Sequence, residues 1–279
     1  MTLFETEERL KAAGIENFKG EAKILVCHFE DITPAHLLIE RDRDFTSKEL
    51  EKAVLRREKR EPLQYIIGKW DFMNETYIVD ASTLIPRADT ETLVMYGIEN
   101  IPADGTFADL CTGSGCVAVS TLAGRPDLTG VAVEKYSVTL ETAKKNAELN
   151  GVSDRLRLVI GDVRENVFSA GEKFDAVLTN PPYVTLDEYN GLAPEVMYEP
   201  RAALTDEGDG LSIIKKILEI YPACLKENGF IAIEIGSDQS DAVKEIAASF
   251  DLSCEIIQDI ENRDRVCVCR KNSLQFKQS

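Results

Sequence analysis

From residue 106 onward the chain alternates short apolar runs with helical stretches, and no other feature constrains its fold as tightly. The runs at 107–110, 131–134, 156–160, 174–179, 230–235, 252–257 and 266–269 are each of strand length. Between most of them apolar residues recur at helical spacing, notably over 137–150, 211–226 and 238–250, the first stopped by Gly151. Apolar strands joined through helices run parallel and need cover on both faces. The pattern predicts an α/β fold with a seven-stranded, mostly parallel sheet between helices. Only residues 258–264 join the final two runs, too few for a crossover helix, so the last strand is expected to be antiparallel.

The part before this pattern reads differently. Residues 1–61 predict a small all-helical N-terminal domain. Thr33-Pro34 reads as an N-cap with proline at the first helical position, and Thr46-Ser47-Lys48-Glu49 has capping-box spacing. Arg56, Arg57, Lys59 and Arg60 close that helix before Pro62, either as cations at a helix C-terminus or as a contact patch for an acidic or nucleic-acid-bearing partner. Residues 62–85 predict a β-hairpin linker, because Trp70, Phe72, Tyr77, Ile78 and Val79 surround Asn74-Glu75. Residues 86–279 form the expected catalytic domain.

Charge narrows the function. The 279 residues carry 32 Lys+Arg against 49 Asp+Glu, a net charge of −17, which disfavours a protein whose main work is gripping phosphates. No apolar run is long enough to span a bilayer, and the acidic start Met1-Thr2-Leu3-Phe4-Glu5 is wrong for a secretory signal. Seven cysteines scattered along the chain suit reduced thiols, and two histidines without Cys/His clustering speak against a zinc site. The expectation is a cytoplasmic chain that uses no metal.

Chemistry enters after the first strand, at Asp109-Leu110-Cys111-Thr112-Gly113-Ser114-Gly115-Cys116. Two glycines one residue apart allow a tight turn and close approach to a ligand ahead of a helix. Glu134 ends the next strand, 134 − 115 = 19 residues past Gly115, where a carboxylate can accept from both hydroxyls of a ribose. With Ala118 the glycines also fit a dinucleotide fingerprint, so an NAD-dependent oxidoreductase stays open at this point. Asp162, after the third run, either accepts an adenine amine or caps the following helix.

Asn180-Pro181-Pro182-Tyr183 follows the fourth run directly. The prolines make a rigid turn at the carboxyl end of a strand, where open α/β sheets bind ligands. The turn offers the Asn180 side-chain oxygen and the Pro181 carbonyl as fixed acceptors beside the Tyr183 ring, an arrangement suited to a planar –NH2 group. A dehydrogenase has no use for it.

These residues resemble the amino-methylating class I S-adenosylmethionine-dependent methyltransferases, and more closely the HemK/PrmC family, the protein-(glutamine-N5) methyltransferases of peptide chain release factors. The segments 60–68, Leu84-Ile85-Pro86-Arg87-Ala88-Asp89-Thr90-Glu91, Glu199-Pro200-Arg201-Ala202-Ala203-Leu204 and Gly208-Asp209-Gly210-Leu211 add to the likeness, which spans about residues 55 to 270. Residues 85–91 favour the release-factor branch over sister enzymes acting on a ribosomal-protein glutamine. The resemblance implies S-adenosyl-L-methionine as cofactor, S-adenosyl-L-homocysteine as product, class 1 release factors as partners and a monomeric enzyme. It places Asp109, Cys111, Thr112, Gly113, Ser114 and Gly115 around the methionine part, Glu134 at the ribose, and Asp162 and Val163 at the adenine. Asn180, Pro181, Pro182 and Tyr183 would hold the glutamine amide, with Asn180 also near the cofactor and Asn180, Pro181 and Tyr183 as the catalytic group. The chain departs from the family at Cys111, where glycine is usual and a side chain is tolerable only if φ is not positive. It departs also at Glu134, where aspartate is commoner, and at Val163, where an aromatic is frequent.

An amide nitrogen is a weak nucleophile, so such a site must act by alignment and by two acceptors that stabilise the N–H bonds as charge develops. No histidine lies in this segment to act as base, and the proton is expected to leave late, to solvent. The rival readings are a nucleobase amino-methyltransferase of RNA or DNA, the oxidoreductase, and a non-catalytic nucleotide-sensing module.

Overall fold

The computed structural model describes residues 1–40 and 42–272. They divide into two compact units, one of Met1–Lys69 with Leu192–Tyr198 and one of Trp70–Gly191 with Glu199–Ser279.

The first unit is built from α1 (Leu3–Ala12), α2 (Phe18–Phe29), α3 (Pro34–Ile39), α4 (Lys48–Glu58) and α5 (Leu63–Ile67). Thr2 and Glu5 close a reciprocal capping box on α1, and Thr33 Oγ1 accepts from the His36 N–H ahead of Pro34. On α4 the cap is Ser47 rather than Thr46. Its hydroxyl accepts from Leu50 N–H at 3.1 Å, and its own N–H donates to Glu30 rather than to Glu49, so no capping box forms. Leu10, Leu25, Val26, Leu50 and Val54 are fully buried in the unit's core, each contributing about 1.5–3 kcal/mol by leaving water.

The three arginines of the basic cluster are paired internally. Arg56 pairs with Glu61, and Arg57, only 4% exposed, with Glu21 and Glu195. Arg60 also pairs with Glu195, at 2.7 Å, and donates to the Gly14 carbonyl. Glu195 belongs to the returning segment Leu192–Tyr198, which explains why those arginines do not form a free patch.

In the stretch expected to be a hairpin linker, α5 precedes the hairpin itself, whose strands are β1 (Lys69–Phe72) and β2 (Glu75–Ile78). The second unit's main sheet contains β3 (Thr106–Leu110), β4 (Thr129–Glu134), β5 (Leu156–Ile160), β6 (Phe174–Thr179), β7 (Leu225–Glu234), β8 (Leu252–Gln258) and β9 (Asp264–Lys271). Their order is β5-β4-β3-β6-β7-β9-β8, parallel except that β9 runs against both neighbours. This is the expected α/β sheet.

Alternation along the strands decides which helix covers which face. Ala108, Leu110, Val177, Ile231 and Ile233 share a core with α11 (Ser212–Ile220) and α12 (Ser240–Ser249). The opposite face meets α6 (Glu91–Asn100), where Gly97 lies so near Leu178 that a Cβ would stand 2.9 Å from it. The helices α7 (Cys116–Gly124) and α8 (Ser137–Leu149) complete the cover, with one-turn helices α9 (Leu186–Tyr189) and α10 (Arg201–Leu204) in the loop after β6. The helix expected to reach residue 226 stops at Ile220. Pro222 cannot donate an N–H to its continuation, so Tyr221–Cys224 forms a 3-10 turn and β7 starts at Leu225. The chain order reverses at β3 and β6, which bind each other through Leu110↔Thr179 and a 2.8 Å bond from Thr179 Oγ1 to the Leu110 carbonyl. Their carboxyl ends therefore bring residues 111–115 and 180–183 side by side, at the sheet's switch point.

Candidate active site

A cavity of about 330 Å³ opens over this switch point, wholly within the second unit. That volume falls in the range of about 300–1,000 Å³ usual for small-molecule sites. Thr112, Gly113, Glu134, Asp162, Val163 and Asn180 all contribute to its wall.

The glycine turn is shaped by three left-handed residues. Cys111 has φ 59°, Gly113 57° and Gly115 84°. The condition set for Cys111 is therefore not met: a side chain does sit at positive φ, at a cost of about 1–2 kcal/mol. The turn holds it there, because Thr112 N–H donates to the Val133 carbonyl at 3.0 Å and Gly115 N–H closes onto the Thr112 carbonyl at 2.8 Å. At Gly115 a Cβ would also stand 3.3 Å from Ala143 on α8, so the turn and that helix touch through the missing side chain. Cys111 and Cys116 line the cavity, and burial raises both thiols above the ordinary range. Ser114 Oγ is buried in the same wall with no hydrogen-bond partner among the described residues. An unpaired buried hydroxyl facing a cavity is what a site for a polar ligand leaves open.

Asp109 lies beneath the turn and outside the cavity wall. Its carboxylate accepts from Thr112 Oγ1 at 2.5 Å and from the Ala118 N–H at 3.2 Å, tying the turn to the start of α7. Burial pushes its pKa up to about 7. Glu134 reaches across from β4. One oxygen accepts from Gly113 N–H at 3.1 Å, the other from Lys135 and Tyr136 N–H at 2.8 and 3.0 Å. A carboxylate one methylene longer than aspartate can thus brace the turn while facing the cavity. Asp162 is chelated by the Arg164 side chain, which with Lys135 holds it well below the usual carboxylate range. It also accepts from Arg164 N–H, a local turn rather than a helix cap, and Val163 beside it is buried.

In the proline turn both prolines are buried, and Asn180 and Pro182 contribute to the cavity wall while Pro181 does not. Asn180 Nδ2 donates to Thr90 Oγ1 at 3.1 Å. Thr90 lies beside the buried Glu234 carboxyl, whose ionised form its hydroxyl favours. With its amide nitrogen donating to Thr90, Asn180 keeps Oδ1 available as an acceptor. Tyr183 is not part of the wall. Its ring packs against the core and its hydroxyl donates to Glu234 Oε1 at 3.1 Å. Glu234 is 1% exposed, and burial raises its pKa to about 7 against the opposing pull of the two hydroxyls and Arg265.

A roof completes the cavity. Glu199 is buried, pairs with Arg87 and accepts from Ile85 N–H at 2.9 Å, binding residues 85–87 to the segment around Pro200. Asp206 accepts the N–H groups of Gly208, Gly210 and Ser212, each at 2.9 Å, and so holds the next loop. Gly210, with φ 75°, lies so near the Tyr183 carbonyl that a Cβ would come within 2.1 Å of it. Only glycine fits there.

Residues 2–68 match the family model for the PrmC N-terminal domain, and residues 88–237 the one for the methyltransferase small domain. The release factor glutamine methyltransferase of Nitratidesulfovibrio vulgaris is 33% identical over 98% of this chain and 95% of its own. That of Cereibacter sphaeroides is 36% identical over 94% of each. The chain belongs to the release factor glutamine methyltransferase family. Among solved structures a methyltransferase from Pyrococcus furiosus shares the fold, with TM-score 0.51 and 16% identity over 69% of this chain and 86% of that one.

Within this family member, sequence reasoning passed over Thr90, Glu234 and Asn146. Asn146, fully buried on α8, donates to the Ser114 and Ile78 carbonyls at 2.8 and 3.0 Å and so joins the hairpin to the glycine turn. A polar residue on the buried face of a helix was the available signal.

Proposed function

We propose that this chain transfers a methyl group from S-adenosyl-L-methionine to the side-chain amide nitrogen, N5, of a glutamine in class 1 peptide chain release factors. Family membership supports the reading, and one observation carries it on the structural side: the hydrogen bond from Asn180 Nδ2 to Thr90 leaves Asn180 Oδ1 as an acceptor beside a ligand-sized cavity. The cofactor supplies a methyl group on a sulfonium sulfur. The residues present suit it: the unpaired Ser114 hydroxyl, the Glu134 carboxylate and the glycine turn would hold it, with Asp162 and Val163 at its adenine. Asn180 Oδ1 and the Pro181 carbonyl would take the two N–H bonds of the glutamine amide and aim its lone pair at the methyl carbon. Asp109 and Tyr183 act in this reading through the residues they brace, Asp109 through the turn and Tyr183 through Glu234. The proton leaves to solvent after attack.

Residues 1–61 dock the substrate protein in this proposal, residues 62–85 link, residues 86–279 catalyse, and the enzyme works as a cytoplasmic monomer. Among the described residues no helix is long and apolar enough to cross a membrane. Leu38 and Ile39, 70% and 82% exposed on the helical unit, are the docking candidates. Their replacement by aspartate should slow methylation of the intact factor and spare a short glutamine peptide. The deciding experiment incubates the protein with labelled S-adenosyl-L-methionine and the cognate release factor, RNA and DNA in parallel. Label on a factor glutamine supports the reading, and label in nucleic acid overturns it.

A further inference from the structure

Three cysteines far from the cavity meet at the sheet edge. Cys267 and Cys269 are two residues apart on β9 and so share a face, and Cys254 on the edge strand β8 lies opposite Cys269 in the ladder. The three Sγ atoms lie within 4.8 Å of one another, with Cys267 and Cys269 at 3.7 Å, and none is in a disulfide. Cys267 and Cys269 are fully buried under α12, against Val243 and Ala247, while Cys254 is partly exposed. We propose that this triad is a binding site for a thiophilic monovalent ion, Cu(I), held in a plane by three sulfurs.

Size supports the assignment. An ion with metal–sulfur bonds of about 2.3 Å at the centre of a triangle needs sulfurs about 4.0 Å apart. The observed spacing runs from 3.7 Å to under 4.8 Å, so a small change in side-chain torsion closes the site. Ligand number selects the ion. Structural Zn(II) takes four ligands, whereas no fourth histidine, cysteine or carboxylate joins the triad among the described residues. Soft thiolates without nitrogen or oxygen partners favour Cu(I). Charge also has a counterpart: Lys244 on α12 bears on both Cys254 and Cys267 and would offset part of the negative charge of the bound complex. Cys254 is the member that solvent can reach, which gives an ion a way in. Each sulfur that ligates releases its proton to solvent, so binding tightens as pH rises. An occupied site would staple edge strand β8 to β9.

The test titrates the reduced, metal-free, full-length protein with Cu(I) under anaerobic conditions, against the competing chelator bicinchoninate. One Cu(I) per chain, with an ultraviolet thiolate-to-copper band, is expected. Cys254→Ser should weaken binding at least as much as loss of a group that merely orients a ligand, about 10–100-fold, while Cys27→Ser should leave it unchanged. Cysteine alkylation read by mass spectrometry provides a second measurement that needs no variant: Cu(I) should shield Cys254 in the wild-type protein. Copper left entirely with the chelator, Cys254 equally reactive with and without Cu(I), or Zn(II) held in preference to Cu(I) would each overturn the assignment.

Discussion

Thr90→Val should slow methyl transfer although Thr90 is 1% exposed, because Thr90 holds the Asn180 amide. The change keeps the shape of the side chain and removes the oxygen that accepts from Asn180 Nδ2 at 3.1 Å. Asn180 is then free to turn its –NH2 toward the substrate amide, presenting a donor where an acceptor is needed. A neutral hydrogen bond is worth about 0.5–1.5 kcal/mol, and about 1.4 kcal/mol is tenfold in rate, so the single-turnover rate should fall by about 2–12-fold. Asn180→Ala removes the acceptor itself, and by analogy with deleting one oxyanion-hole donor the loss is about 10²–10³-fold. The double variant carries the argument. If Thr90 acts through Asn180, Thr90→Val/Asn180→Ala should be no slower than Asn180→Ala alone, because residues in one network are not additive. The assay is single-turnover methylation of the release factor with enzyme in excess, alongside calorimetry of cofactor binding, which should change little. An active Asn180→Ala enzyme, or losses that multiply in the double variant, would refute the reasoning.

Glu134→Ala removes a carboxylate that braces Gly113 and faces the cavity, and should weaken cofactor binding by about 1.5–3 kcal/mol; unchanged affinity in a folded variant removes Glu134 from the site. Burial raises the folded pKa of Glu234 to about 7, above its unfolded value, so its stabilising contribution is complete below about pH 4.5 and is lost as pH rises through 7. Glu234→Gln cannot ionise, so its melting temperature should gain on the wild type between about pH 4.5 and 7; parallel melting curves would contradict this, and Asp109, with pKa also about 7, contributes equally to both proteins. Gly210→Ala drives a Cβ toward the Tyr183 carbonyl and should cut turnover sharply with cofactor affinity kept, whereas Gly208→Ala meets only the Asp206 side chain at 3.5 Å and should be mild. Equal activity in the two variants would show that the Gly210 contact does not shape the acceptor turn.

What could be read from the chain alone was what local chemistry dictates. Apolar runs alternating with helical periods specify a covered parallel sheet, because burial on both faces leaves few other arrangements. The glycines of 113–115 and the prolines of 181–182 mark rigid turns wherever the strands carry them, so the two halves of the candidate site were legible as motifs. Tertiary structure decided what each residue does there. Asn180 has a defined orientation only because Thr90, 90 residues earlier, accepts from it, and Tyr183 turns from the cavity to meet Glu234, 51 residues later. Asp109 looked like a ligand residue and sits beneath the turn, a matter of which face of β3 its position occupies. The arginines of 56–60 look like a patch until Glu195 and Glu61 neutralise them, and three cysteines that look scattered meet through the β8–β9 register. Local propensity is encoded within a few residues. The pairing of polar groups in a dry interior depends on which distant strands and loops are brought together, and only the folded chain specifies that.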